Sequence, residues 1–242
     1  MNYYSFTTRG YSPALEYAAK DLEQAGWLRC EQAPIVLLPV PSLENDGSIK
    51  GGASLQLLPH DGLIVGGNLP PEAMDGRKYL DLLQHPLYLS ENGAITAHCA
   101  LGIALEKLPV TLENCPVLVV GWGRIGKCLV RLLRLLGARV TVAARSESDR
   151  ALVEALGYTS MDIREEAPAL SSYRLIFNTV PAMVLPAKKL RCCREDCLKI
   201  DLASVPGIDA EDVIWARGLP NRLAPESSGK LIARIIRKEL EI

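Results

Sequence analysis

The stretch Val117-Leu118-Val119-Val120-Gly121-Trp122-Gly123-Arg124-Ile125-Gly126 decides the fold. Its four apolar, mostly β-branched residues read as a buried parallel strand. Gly121, Gly123 and Gly126 follow at the first, third and sixth positions of Gly-x-Gly-x-x-Gly. In such a strand-turn-helix the first glycine permits the tight turn and the second lets a pyrophosphate approach the backbone. The third lets the helix pack closely on its strand. That helix is expected through 128–136, stopping at Gly137, with its first N–H groups aimed at phosphate. Short glycine motifs recur by chance in loops. Here the strand before, the helix after and a second strand, Val140-Thr141-Val142-Ala143, supply the context of a dinucleotide site, with Gly121, Trp122, Gly123, Arg124, Ile125 and Gly126 on the cofactor.

At the end of that second strand, dinucleotide folds carry an Asp or Glu that accepts hydrogen bonds from the adenosine ribose. Ala144 stands there instead, followed by Arg145 and Ser146, a guanidinium and a hydroxyl suited to a 2′-phosphate. The sequence therefore favours NADP, with NAD as the alternative. A helix over 149–156, a short strand at 158–159 and a helix over 162–171 complete the first half of a doubly wound unit. Strands follow at 175–178, 198–202 and 213–216. Ligands bind beyond the carboxyl ends of such strands, so Asn178, Thr179, Val180 and Pro181 face the nicotinamide, and Asp201 and Ala203 open on the same edge.

Upstream, a strand ends at Phe6, and Ser12 and Pro13 open a helix over 12–25 that Gly26 stops. Further strands are expected at 35–38, 63–65 and 87–89, and 79–83 is too short to classify. Alternating strands and helices make residues 1–90 a small flavodoxin-like α/β domain with a parallel sheet. Ser90 caps an apolar helix through Leu105, so 91–110 bridge the domains, and 111–242 form a Rossmann domain with a doubly wound parallel sheet. A C-terminal helix, striped with Leu231, Ile232, Ile235, Ile236 and Leu240, packs as core, with a return across the cleft between the domains as the alternative.

The chain has 242 residues, 48% of them hydrophobic, and a net charge of −1 with no basic block. This suits a globular protein acting on a small-molecule substrate and argues against nucleic acid or a membrane as partner. No signal-peptide pattern or bilayer-length apolar run is seen, so the cytoplasm is expected. Seven cysteines, an odd number, suit reduced thiols. Cys192, Cys193 and Cys197 lack the spacing of a zinc site, and no metal is expected.

Several motifs in one order carry a resemblance. They are Gly-x-Gly-Arg-Ile-Gly, Val-Thr-Val-Ala-Ala-Arg-Ser, Asn178-Thr179-Val180-Pro181-Ala182-Met183-Val184-Leu185, Asp201-Leu202-Ala203-Ser204-x-Pro206-Gly207 and Gly218-Leu219-Pro220-x-x-x-Ala224-Pro225-x-x-x-Gly229. Together they resemble the A-subunit family of dipicolinate synthase and, more distantly, the alanine and 2-hydroxyacid dehydrogenases. The resemblance implies two α/β domains with substrate between them, and oxidation of a dihydrodipicolinate-type dicarboxylate with NADP accepting the hydride in making the spore metabolite dipicolinate. It also implies a flavoprotein-like second subunit, and a homo-oligomer is expected. The chain departs from the family pattern at Thr8-Arg9-Gly10-Tyr11, at Glu91-Asn92-Gly93, where the family has Ala-Glu-Gly, and at Asn221, where it has glycine.

Hydride transfer leaves the protein mainly positioning work and one proton to manage. Glu91 and Asn92, at the head of the bridge helix, are the first catalytic candidates. His98 on the same helix is either a general acid or base or a partly buried structural histidine. Arg9, Arg217 and Arg222 are candidate clamps for substrate carboxylates. His60 and His85, beside prolines, read as structural. The rival readings are a 2-hydroxyacid dehydrogenase-like enzyme and a non-catalytic NAD(P)-binding protein that serves as a sensing or partner subunit.

Overall fold

The computed structural model describes residues 4–164 and 167–240; Met1, Asn2 and Tyr3 of the first expected strand, and Glu165 and Glu166 of the helix expected over 162–171, lie outside it. The chain forms two compact units, Met1–Ile95 with Pro220–Ile242, and Thr96–Leu219.

The first unit opens with β1 (Ser5–Thr8) and α1 (Pro13–Gln24), with the Ser12 hydroxyl accepting Leu15 N–H as N-cap and proline at the first helical position. The strands β2 (Leu28–Arg29), β3 (Ile35–Leu37) and β4 (Leu63–Gly66) follow, then the short helix α2 (Pro71–Met74) and β5 (Lys78–Asp81). All pair in parallel, in the order β2-β1-β3-β4-β5, the flavodoxin-like arrangement. Side chains alternate across the sheet. Phe6, Ile35, Leu37 and Val65 join one apolar cluster with α1, while Val36, Leu38 and Ile64 join another with Leu58, Leu69 and Met74.

Next comes α3 (Pro86–Lys107), which absorbs the strand expected at 87–89. Its start is set four residues before Ser90. His85 Nδ1 accepts Tyr88 N–H, Pro86 takes the first turn, and Tyr88 is fully buried. Ser90 donates its hydroxyl to Pro86 O inside the helix rather than capping it.

The second unit contains β6 (Pro116–Val120), α4 (Arg124–Leu135), β7 (Arg139–Ala144), α5 (Glu147–Ala155), β8 (Thr159–Asp162), β9 (Leu175–Asn178), the short α6 (Ala187–Leu190), β10 (Leu198–Asp201) and β11 (Ile214–Trp215). Its six parallel strands run β11-β10-β9-β6-β7-β8, the doubly wound Rossmann order with a switch point between β6 and β9. The apolar run of β6 is buried throughout beyond Pro116, as a strand covered on both faces requires. Where a helix is expected from Asp162, β8 ends and the Asp162 carboxylate accepts Arg164 N–H in a turn; a 3-10 segment over Ala167–Ser172 follows.

The chain then returns to the first unit through α7 (Leu219–Leu223) and α8 (Pro225–Leu240). The terminal helix, assigned on the sequence to the Rossmann domain, packs on α1: Leu231, Ile232, Ala233, Ile235 and Ile236 share a core with Leu15, Ala18, Ala19 and Leu22. A Cβ on Gly229 would sit 2.6 Å from Ala14 O and 2.7 Å from Ala18 N, so this glycine sets how closely the helices approach. Asn221, where the resemblance leads one to expect glycine, accepts Ala14 N–H at 3.1 Å and satisfies a first-turn donor of α1.

Candidate functional site

The candidate site lies along the carboxyl edge of the second unit's sheet. Gly121 has φ +104°, and a Cβ there would stand 2.3 Å from Thr179 Oγ1. A Cβ on Gly126 would stand 2.2 Å from Gly121 O, so helix and turn touch backbone to backbone. Gly123 differs: it is exposed, and a Cβ there meets nothing within 4 Å. It precedes α4, whose N-cap makes no side-chain hydrogen bond, so no capping side chain takes the first N–H groups of the helix beside this open position. Trp122 turns inward. Its ring meets the edge of Tyr158 at 6.3 Å, Lys127 lies 5.7 Å from its centroid, and its Nε1 is buried without a hydrogen-bond partner.

At the end of β7, Ala144 is buried and Arg145 is exposed. The carboxylate missing from β7 stands on the neighbouring strand, since Asp162 is the register partner of Ala144. It is already claimed. Arg164 holds it at 2.6 and 2.9 Å and Arg150 at 3.0 Å, and these contacts, those from Arg164 foremost, keep its carboxyl well below the usual carboxylate range. Arg150 also donates to Ala144 O and Arg145 O, which fixes a second cation at this strand end. The Ser146 hydroxyl caps α5 by accepting Asp149 N–H and shares a 2.6 Å hydrogen bond with Ser148, so helix capping engages the group expected to meet a phosphate.

Two further residues serve the fold directly. Both Asn178 and Asp201 are buried, and Asn178 Nδ2 donates to Asp201 Oδ1 at 2.9 Å and to Val180 O at 3.0 Å. Asn178 Oδ1 accepts Val180 N–H. Asp201 accepts from Ala203 N–H on Oδ1 and from Gly207 and Ile208 N–H on Oδ2. Neither side chain offers itself to a ligand; together they knot the loops leaving β9 and β10. Thr179, pinned to Val120 O through N–H and hydroxyl, and the half-exposed Val180 and exposed Pro181 form the outer surface of that knot, with Ala203 buried behind it.

Arg217 is exposed beyond β11, its guanidinium 5.2 Å from the ring centroid of Trp215, whose Nε1 donates to Ala203 O. Sequence reasoning misses Trp215, which reads there only as a strand residue.

The remaining candidates are scattered. In the first unit, Arg9 folds back on Thr7 Oγ1 and Thr8 O, and Arg222 is exposed on α7. Glu91 and Asn92 lie more than a turn inside α3, not at its head, because the helix begins at Pro86; Glu91 pairs with Arg234 of α8. His98, in the second unit's part of α3, is exposed rather than partly buried. His85 caps α3 and meets Glu239, and His60 meets Arg77, both in structural roles.

The sheet order, its switch point and the glycine turn over an uncapped helix define a dinucleotide-binding fold of Rossmann type. No family model matches the chain. The chain is similar to the A subunit of dipicolinate synthase from Bacillus subtilis (strain 168), 28% identical over 172 residues that cover 68% of this chain and 58% of that protein. It thus spans less than two thirds of the curated relative it matches. The solved A chain of Bacillus subtilis dipicolinate synthase aligns with a TM-score of 0.85 at 21% identity, covering 100% of this chain and 97% of that one. The transhydrogenase from Sinorhizobium meliloti aligns at 0.75 and 15% identity, covering 98% and 93%. L-alanine and D-lactate dehydrogenase folds align over nearly the whole chain as well. The resemblance read from the motifs holds, and the two-unit α/β fold is shared.

Proposed function

We propose that the chain is an NADP-dependent oxidoreductase acting on a dihydrodipicolinate-type heterocyclic dicarboxylate. The observation that carries the reading is Gly123. The protein's own packing requires Gly121 and Gly126, whereas nothing in the chain crowds Gly123, and no capping side chain takes the first N–H groups of α4 beside it. A bare backbone beside an uncapped helix start fits a pyrophosphate. Gly121 to Gly126 would hold it, and Thr179, Val180 and Pro181 would flank the nicotinamide. At the other end, Arg145 with Arg150 beside it favours a 2′-phosphate, since Asp162, the carboxylate in register with Ala144, is neutralised by arginines.

A bound nicotinamide would take a hydride from the substrate. The dihydro ring gains aromaticity in losing it, so the chain need only orient the ring and accept one proton. Arg217, held over Trp215, is the cation best placed on this edge to meet a substrate carboxylate. Glu91 and His98 stand as proton-handling candidates, with Glu91 already engaged by Arg234, and Asn92 as a hydrogen-bonding group that could orient the substrate. The lettered name of the Bacillus subtilis relative supports a second subunit. Among the described residues no helix is long and apolar enough to cross a membrane.

The test is a fluorescence titration with NADPH and NADH. NADPH should bind more tightly, and Arg145→Ala should weaken NADPH by about tenfold or more, the worth of one charge-assisted hydrogen bond, with NADH unaffected. A preference for NADH would overturn the cofactor assignment. With NADP and freshly made dihydrodipicolinate, reduced nicotinamide should accumulate, and Arg217→Ala should raise KM. Cofactor binding without turnover would instead favour the sensing role.

A further inference from the structure

The amino edge of the first unit's sheet, opposite the carboxyl edge where ligands bind in doubly wound sheets, carries a cavity of about 300 Å³. It is lined by Leu55 and Gln56 of a 3-10 turn, His60 ahead of β4, Ala73 and Asp75 at α2, and Arg77 ahead of β5. The Arg77 side chain is 7% exposed, yet the partners around its charge are poor. Nη1 donates to Met74 O at 3.3 Å, and Nη2 to Leu58 O at 3.5 Å and to His60 Nε2 at 3.2 Å. Hydrogen bonds of this kind ordinarily close to about 2.9–3.0 Å. Nε is buried and has no hydrogen-bond partner among the described residues. Asp75 offers a carboxylate 3.9 Å from Nη1, but its side chain is 78% exposed, which makes the pair one of the weak, solvent-screened kind.

We propose that this cavity binds a small organic carboxylate, its anionic end held by Arg77 and its apolar body set against Leu55 and Ala73. Taking a guanidinium out of water is costly unless a well-placed anion compensates it. Here two carbonyls, an imidazole and a distant carboxylate do so incompletely. The planar fork of an arginine matches the paired oxygens of a carboxylate. His60 keeps its structural part. Arginine has no acceptor, so His60 Nε2 must accept, and the neutral ring carries its proton on Nδ1. The imidazole thereby braces the guanidinium and leaves an N–H donor on a residue that lines the cavity, and Gln56 brings an amide. An incoming carboxylate displaces Asp75 from Nη1, and the exposed Asp75 side chain turns to solvent. The apolar part of the lining favours an organic acid over inorganic phosphate. Because the site is built wholly from the first unit, it stands apart from the nucleotide reading of the second.

The test follows backbone amide and arginine Nε–H signals of the isotope-labelled full chain by NMR during titration with benzoate, with benzyl alcohol and inorganic phosphate as controls. Benzoate should move the Arg77 Nε–H signal and the amides of Gln56, Ala73 and Arg77 to saturation. The response should persist in Arg217→Ala, which separates this site from the proposed substrate clamp. Arg77→Met keeps the stem and removes the charge, and it should weaken benzoate by about tenfold or more. Asp75→Asn removes the competing carboxylate at an exposed position whose φ of +48° asparagine tolerates, and it should tighten benzoate about two- to fivefold. Should Arg77→Met fail to fold, Asp75→Asn and the Nε–H signal of the unmodified protein still decide. A stationary Arg77 signal, an equal response to benzyl alcohol or phosphate, unchanged affinity in Arg77→Met, weaker binding in Asp75→Asn or loss of the response in Arg217→Ala would overturn the proposal.

Discussion

Asp201→Asn keeps the size of the side chain and removes half of its acceptors. In the native site Oδ1 accepts from Asn178 Nδ2 at 2.9 Å and Ala203 N at 3.0 Å, while Oδ2 accepts from Gly207 N at 2.7 Å and Ile208 N at 3.1 Å. The carboxylate is 1% exposed, so four donors stand in for water around a buried charge. An amide retains one oxygen and presents its NH2 to the other two donors. Two hydrogen bonds to a charged group are lost at about 1.5–3 kcal/mol each, which gives an upper bound of about 3–6 kcal/mol. Retreat of the 203–208 loop would bring the observed cost toward the lower figure. With two units in the chain, a single unfolding midpoint mixes their stabilities, so amide hydrogen exchange is the cleaner assay. The Gly207 and Ile208 amides should lose protection by two or more orders of magnitude, by the same arithmetic, while first-unit amides such as Leu37 keep theirs. NADPH affinity should fall as well, because the loop bearing Thr179 and Val180 loses its tie. Unchanged protection at Gly207 and Ile208 would refute the claim that Asp201 knots the two loops.

Gly123→Ala should leave stability within a few tenths of a kcal/mol and weaken NADPH, whereas Gly121→Ala, driven against Thr179 with a positive φ, should unfold at clearly lower urea; equal effects would mean that the open space above Gly123 is irrelevant. Gly229→Ala must part α1 from α8, since it meets backbone atoms. A loss of about 3 kcal/mol, at the top of the overpacking range, is expected from urea unfolding followed through Trp27. Tyr88, buried in the first unit's core, has its phenol pushed up from 10.0 to about 12 by burial. Because the folded value is the higher one, its contribution is complete below pH 10 and is lost as pH rises toward 12. That rise corresponds to about 3 kcal/mol, and Tyr88→Phe should flatten the alkaline arm of the stability curve.

What can be read in advance is whatever local chemistry settles. Ser12-Pro13 carries its own start signal, the Val117 run is apolar because both faces of its strand are covered, and the glycine spacing marks a strand-to-helix turn in which Gly126 closes on Gly121 O. Edge strands give no such signal: β5 exposes Lys78 and Tyr79 and pairs only with β4, and β2 has two exposed residues. Sequence reasoning displaces the start of α3 to Ser90 because three apolar residues at 87–89 fit a strand or a helix equally; His85, a less usual cap, decides it. Roles fixed by distant partners are invisible. Asp201 looks like a ligand contact until its four donors are known, and Arg150 is an ordinary helix cation until Asp162 arrives beside it from another strand.

The return of α8 to the first unit has a consequence for synthesis. The core of that unit is shared between α1, near the beginning of the described chain, and a helix made after all of the second unit. On the ribosome, α1 therefore emerges with Leu15, Ala18 and Ala19 lacking their cover, and the second unit, contiguous over Thr96–Leu219, is the first able to close completely. Within these two units the order of folding would then invert the order of translation, with the core around α1 completed only after the second unit has closed.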